Sequence, residues 1–157
     1  MPNNNYMEIA IEEAKKGIRK GHGGPFGAVI VKDDEIVARG HNRVVETNDP
    51  TAHGEIVAIR EATKKLNTFD LSGCELYTTG YPCPMCMSAI IWANIKKVYY
   101  SCNAKDAEKI GFRDDFIYQI IESDCNNTDL LNIQEVSRED GLKLFEEYTN
   151  IVDKTLY

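Results

Sequence analysis

The stretch Cys74-Glu75-Leu76-Tyr77-Thr78-Thr79-Gly80-Tyr81-Pro82-Cys83-Pro84-Met85-Cys86 changes character within a few residues. Cys74 to Thr79 reads as a β-strand. Pro82-Cys83-Pro84 then opens a helix that runs through Trp92, because proline is well suited to a first helical turn. Strand, short turn and helix start together make the joint of an α/β protein. Downstream, Lys97 to Ser101 reads as the next strand. Ala104 to Lys109 and Phe116 to Ile121 read as short helices, and Ile133 to Val136 as a fifth strand. Ser137 with Asp140 predicts the cap of a last amphipathic helix carrying Leu142, Phe145 and Tyr148. Upstream, Asp49-Pro50 is a helix-start signal for a helix to about Lys65, with Ile56, Ile59 and Ala62 inward. Phe26 to Val31 and Ile36 to His41 form a hairpin across the polar turn Lys32 to Glu35. A polar loop, Asn42 to Asn48, follows. The first helix spans about Tyr6 to Lys20, with Asn5 and Glu8 as a capping box, and Gly21, Gly23 and Gly24 end it. Strands alternating with helices predict a layered α/β sheet, and the opening hairpin makes that sheet mixed. Ligand sites in such folds lie beyond strand ends, where helix N-termini converge.

The 157 residues suit one domain, and 43% hydrophobic content is enough for a real core. A net charge of −7 argues against an obligate nucleic-acid binder, which needs a basic face. No stretch approaches the roughly 18 apolar residues of a membrane span. The opening Met1-Pro2-Asn3-Asn4-Asn5-Tyr6 lacks the charged and apolar regions of a signal peptide. The chain reads as soluble and cytoplasmic. Its five cysteines are Cys74, Cys83, Cys86, Cys102 and Cys125. An odd count without a secretory signal does not suggest a disulfide framework. Only Cys83 and Cys86 are clustered; the other three read as ordinary buried or strand cysteines.

Two helix starts hold the chemistry. His53-Gly54-Glu55 follows Asp49-Pro50, and Pro82-Cys83-Pro84-Met85-Cys86 opens the next helix, with 26 residues between. Cys83 and Cys86, three apart in a first turn, share a face and reach one ion. The positive end of the helix favours their thiolates. Two thiolates and one imidazole make a zinc set that leaves a fourth tetrahedral position for water. Zinc with two thiolates is electrically neutral and acidifies water less than an all-histidine zinc. A carboxylate that accepts the water proton makes up the difference. Glu55, two residues from His53, does not share its helix face, so it is placed as a proton carrier rather than a ligand. His22 and His41 read as loop and strand-end residues. Cys83-x-x-Cys86 alone also fits a redox pair, and a lone histidine is more often packed in a core. The joint pattern of H-x-E and P-C-x-x-C is the signature of zinc deaminases.

With these motifs the chain resembles the cytidine-deaminase-like superfamily of zinc hydrolases, and within it the small bacterial guanine deaminases. The resemblance runs through Gly23-Gly24-Pro25-Phe26-Gly27-Ala28-Val29-Ile30-Val31 and Asn48-Asp49-Pro50-Thr51-Ala52-His53. It continues in the cysteine motif, Gly111-Phe112, Asp114, Phe116-Ile117-Tyr118 and the terminal Tyr157. It implies a three-layer α/β/α fold with a central five-stranded mixed sheet, in one deaminase domain over 1–157. It implies a homodimer whose C-terminal segment, about 137–157, is exchanged between subunits. The implied reaction converts guanine and water to xanthine and ammonia, with one Zn2+ per subunit on His53, Cys83 and Cys86. Glu55 takes the water proton, delivers it to N3 of the ring and later protonates the leaving amine. Asn42 reads polar atoms of the base and Phe26 lines the purine face. Asp114 and Tyr157 contact the ring or assist proton transfer, and Trp92 borders the pocket or packs in the core of its helix. Two positions depart from the family's common pattern: Gly54, where many members carry Ala, and Tyr81, where many carry Glu.

Three other readings compete. One is a deaminase of another nucleobase or nucleoside, such as cytosine, adenine or guanosine. Another is a tRNA adenosine deaminase, against which the acidic charge counts. The last is a non-catalytic zinc or redox module, which predicts no ammonia release.

Overall fold

The computed structural model describes residues 2–157. By its internal contacts the chain divides into two compact units, Met1–Tyr118 and Gln119–Tyr157. In the first unit, α1 (Asn4–Arg19) precedes β1 (Gly27–Lys32) and β2 (Glu35–His41). A short α2 (Val44–Thr47) and α3 (Gly54–Leu66) follow. Then come β3 (Glu75–Gly80), α4 (Pro84–Trp92), β4 (Lys97–Cys102) and α5 (Ala104–Lys109). Helix α6 (Asp114–Glu122) crosses the boundary between the units, and α7 (Arg138–Thr149) lies in the second.

The sheet is mixed, in the order β2-β1-β3-β4. β1 pairs antiparallel with β2 and β3, and β3 pairs parallel with β4. A bulge at Val37 shifts the hairpin register between Ile30 and Val31. Central β1 is buried along nearly its whole length, which is why it reads as an unbroken apolar run. Its alternate side chains feed two cores. Ala28 and Ile30 pack with Ala58, Ala62, Leu76 and Ile90 under α3 and α4. Val29 and Val31 pack with Ala10 and Tyr77 under α1. Helices therefore cover both faces, giving the three-layer α/β/α arrangement that the sequence predicts.

The sheet has four strands rather than five. Ile133 to Val136, expected as the fifth strand, is irregular, and Ile133 and Val136 are exposed. An apolar segment becomes a strand only where another strand supplies hydrogen bonds, and among the described residues none pairs with it. Three helix starts also differ from expectation. Asn3, not Asn5, caps α1, its side chain accepting from the Asn5 N–H. Ser137 precedes α7 with a left-handed backbone and no side-chain cap. Asp49-Pro50 does not begin α3. The Asp49 carboxylate instead accepts from the Thr51 N–H and hydroxyl, closing a turn that delays the helix to Gly54.

Candidate metal centre and cavity

That delay places the first metal-ligating side chain. His53 is the N-cap of α3, with an extended backbone (φ −70°, ψ 159°). Cys83 is the N-cap of α4 with nearly the same backbone (φ −63°, ψ 167°), and Pro84 begins the helix behind it. Each cap side chain thus projects ahead of its helix instead of along its flank, toward a common point. Cys83 Sγ lies 3.5 Å and Cys86 Sγ 3.6 Å from His53 Nδ1. All three donor atoms fall within 4.8 Å of one another. Zinc–sulfur and zinc–nitrogen bonds at tetrahedral angles would hold sulfur and nitrogen about 3.6 Å apart. The donor set fits a zinc ion, and His53, Cys83 and Cys86 are placed to bind a metal.

The electrostatics agree with that use. The Cys86 thiol and the His53 ring both donate toward the Cys83 sulfur, which pulls the Cys83 thiol down to about 4. Hydrogen bonding to Cys83 raises the Cys86 thiol and the His53 ring above their ordinary values. Three donors crowding together in a half-dry corner share protons that a cation would displace. Glu55 is the second residue of α3 and is only 6% exposed. Burial, reinforced by the Cys83 charge, holds its carboxyl above the usual range. The Thr78 hydroxyl, 3.1 Å from Glu55 Oε1, donates to that carboxylate from β3.

In front of this corner opens a cavity of about 390 Å³, the size class of small-molecule sites. His53, Glu55 and Cys83 form its floor, and Phe26, Asn42 and Asp114 stand in its walls. Phe26 meets Phe112 edge to face at 4.8 Å, and the two rings fill the space left by the missing side chains of Gly24 and Gly80. Asn42 Oδ1 accepts the Val44 N–H, so its amide NH2 is the donor it offers outward. Burial and the Cys83 charge raise the Asp114 carboxyl above its ordinary value.

Two sequence-derived candidates are largely exposed. Trp92 is 62% exposed at the last turn of α4. Six residues of helix rise, about 9 Å, separate it from Cys86, and it does not line this cavity. Tyr157 belongs to the second unit and is 79% exposed. Four further residues shape the surroundings of the metal corner. Thr78 looks like any strand threonine, and only the pairing of β3 beside β1 sets it next to Glu55. Tyr118 donates from α6 to the Pro82 carbonyl at 2.6 Å, bracing the cysteine loop. Tyr81 lines the cavity with its ring edge-on to Tyr100. Gly54 sits where an added Cβ would approach the Phe26 carbonyl to 3.3 Å, so it lets α3 start close against β1.

Residues 2–102 match the family model described as the cytidine and deoxycytidylate deaminase zinc-binding region. The chain belongs to this deaminase family. Its metal corner and Glu55 fall inside the matched span, whereas Phe112 and Asp114 lie outside it. Among relatives, guanine deaminase of Bacillus subtilis (strain 168) is 42% identical over 157 residues, all of both chains. The structure of a Bacillus subtilis guanine deaminase superposes with a TM-score of 0.91, covering 100% of this chain and 99% of that one. The tRNA-specific adenosine deaminase of Aquifex aeolicus (strain VF5) is 49% identical over 96 residues, covering 61% of this chain and 63% of its own. A guanine deaminase from Nitrosomonas europaea is 36% identical with a TM-score of 0.64, covering 68% of this chain and 62% of that one.

Proposed function

We propose that this deaminase-family chain is a zinc-dependent aminohydrolase that converts guanine and water to xanthine and ammonia. The observation that carries the reading is the convergence of His53, Cys83 and Cys86 beside a buried, hydrogen-bonded Glu55. Full-length similarity to a guanine deaminase supports the choice of substrate, since the tRNA deaminase likeness covers only part of this chain.

Zinc bound to His53, Cys83 and Cys86, one per subunit, would supply acidified water and polarise the reacting carbon. Glu55 does the proton work. Its burial makes it a ready acceptor, and the Thr78 hydroxyl keeps one carboxylate oxygen in place. It takes one proton from water and passes it to ring N3, then takes the second from the hydroxyl added at C2 and delivers it to the departing amine, so each turnover regenerates the carboxylate. Phe26 packs against the purine face and Asn42 donates its amide to the polar edge of the base. Asp114, with its raised carboxyl, contacts the ring or relays protons at the cavity mouth. Tyr157 is assigned to the same task from a second copy of the chain. In that arrangement 1–157 acts as one deaminase domain in a homodimer, with the segment of about 137–157 exchanged, in the cytoplasm.

The test is ammonia release by zinc-loaded protein from guanine, guanosine, cytosine, cytidine, adenine and adenosine, each repeated with Glu55→Gln. Release from guanine, lost in the variant, is the expected result. Release confined to another base would overturn guanine as the substrate. Silence across the panel with zinc bound would overturn the enzymatic reading for these substrates.

A further inference from the structure

Beside the cavity lies a second polar cluster with no part in metal binding. His41, the last residue of β2, is only 4% exposed. Its Nδ1 is 3.0 Å from Glu13 Oε1 on α1, and its Nε2 is 2.8 Å from His22 Nδ1. His22 Nδ1 also lies 3.4 Å from Glu46 on α2. Lys16 contacts the other oxygen of Glu13, and Arg43 pairs with Glu46. A chain of contacts thus runs from α1 to α2 through two imidazoles: hydrogen bonds link Glu13, His41 and His22, and His22 lies within ion-pair range of Glu46.

We propose that the His22–His41 pair is a positioning device for Asn42, holding its amide in the cavity wall where it meets the substrate. The inference rests on the role given to Asn42 above. A carboxylate only accepts, so Glu13 fixes the His41 proton on Nδ1 and leaves Nε2 to accept from His22 Nδ1–H. Both rings are then held in direction as well as in space, which apolar residues of the same size would not achieve. Helix α1 makes room for the arrangement. An added Cβ on Gly17 would stand 2.6 Å from His41 Cδ2. Glycine is disfavoured inside a helix relative to alanine, and this one is what allows the buried ring.

Each imidazole leads directly to one side of Asn42. His41 is its chain neighbour, and the Asn42 N–H donates to the Phe26 carbonyl at 3.0 Å. His22 is the neighbour of Gly23, where a Cβ would come within 2.1 Å of Asn42 Oδ1. The His22 carbonyl accepts the N–H groups of Val45 and Glu46, both at 3.0 Å. It therefore ties the glycine loop to the segment whose Val44 N–H holds Asn42 Oδ1. Displacing either ring loosens both supports of the amide.

The test is steady-state kinetics on guanine, with zinc content checked, for His41→Leu, Glu13→Leu and His41→Gln. His41→Leu is expected to raise KM about tenfold with kcat within about twofold, the mark of lost uniform binding. Glu13→Leu, nearer the surface, tests the same chain should His41→Leu not fold, and is expected to raise KM severalfold. His41→Gln places a carboxamide oxygen near the lost Nε2 and is expected to restore most of the affinity. In an Asn42→Ala background, His41→Leu should add no further loss. A readout without substrate is the side-chain NH2 resonance pair of Asn42 in zinc-loaded protein. It should be distinct in the wild type and averaged by motion in His41→Leu or Glu13→Leu. An unchanged KM, a kcat loss alone, full additivity with Asn42→Ala, or unaltered Asn42 signals would overturn the proposal. If the wild type leaves guanine untouched, the substrate reading falls, and the Asn42 resonances decide this inference alone.

Discussion

Glu55 and Thr78 show how one hydrogen bond between neighbouring elements holds a buried carboxylate beside the metal corner, where we propose it carries protons. Glu55→Gln keeps the shape of the side chain and removes its basicity, so kcat should fall by about 10²–10⁴-fold with zinc content unchanged. Metal analysis beside ammonia release checks this, and a variant that lost its zinc would remove the argument for a proton carrier. Thr78→Val deletes the hydroxyl donor from a buried carboxylate. It should lower kcat about tenfold and cost roughly 1–3 kcal/mol in urea unfolding. Retention of full kcat would show that Thr78 does not orient Glu55. Glu13 gives a prediction in pH. Burial pushes its carboxyl up, but hydrogen bonds from His41 and Lys16 outweigh that, and the net shift is downward from 4.5. A depressed carboxyl contributes stability that is complete above its unfolded value and lost as pH falls through its folded value. The stability advantage of wild type over Glu13→Gln should therefore be full near pH 7 and shrink below about pH 4.5. Urea titrations at several pH values measure it, and a pH-independent difference would contradict it.

At the scale of elements, the paired N-caps organise the centre. Two helices begin with an extended residue whose side chain points ahead, and both ligand-bearing turns follow strands of the same sheet. The Asp49 turn sets where α3 begins, and with it the direction of His53. Asp49→Ala should lower stability in urea by removing both hydrogen bonds that close the turn. It should also release zinc faster to a chelator, because His53 is no longer held extended. Chelator competition followed by absorbance tests this, and an unchanged release rate would mean that the turn does not position the ligand. The strand–helix joint at residues 74–86 was legible because proline, cysteine spacing and apolar runs are local signals. The true start of α3 was not, because Asp49-Pro50 can open a helix or a turn equally well. The choice between them depends on where β1 lets the helix dock.

For the whole molecule, two cores share one central strand, and the metal corner joins α3 to α4 at one end of the sheet. A ligand that binds only the folded state adds stability by mass action. Zinc-loaded protein should therefore melt several degrees above chelator-treated protein, and Cys86→Ser should abolish the difference. Equal melting temperatures in the wild type would mean that the ion contributes nothing to the fold. The rising exposure of apolar residues toward the C-terminus also belongs to this scale. Ile133, Val136, Leu142 and Phe145 are exposed in the single chain, although the sequence reads them as strand and helix positions.

Residue chemistry by itself pointed to the three side chains placed to bind a metal, to Glu55 as the candidate proton carrier and to the alternation of strands and helices. Each depends on donor type, short spacing or local periodicity, and these survive in one dimension. Tertiary structure alone decided that Thr78 meets Glu55, that Trp92 lies at the far end of its helix from the cysteines, and that the sheet stops at four strands. It also decided that His22 and His41, nineteen residues apart, share a hydrogen bond. Those outcomes depend on which elements pack together, since burial and hydrogen-bond partners are supplied by residues distant in the chain.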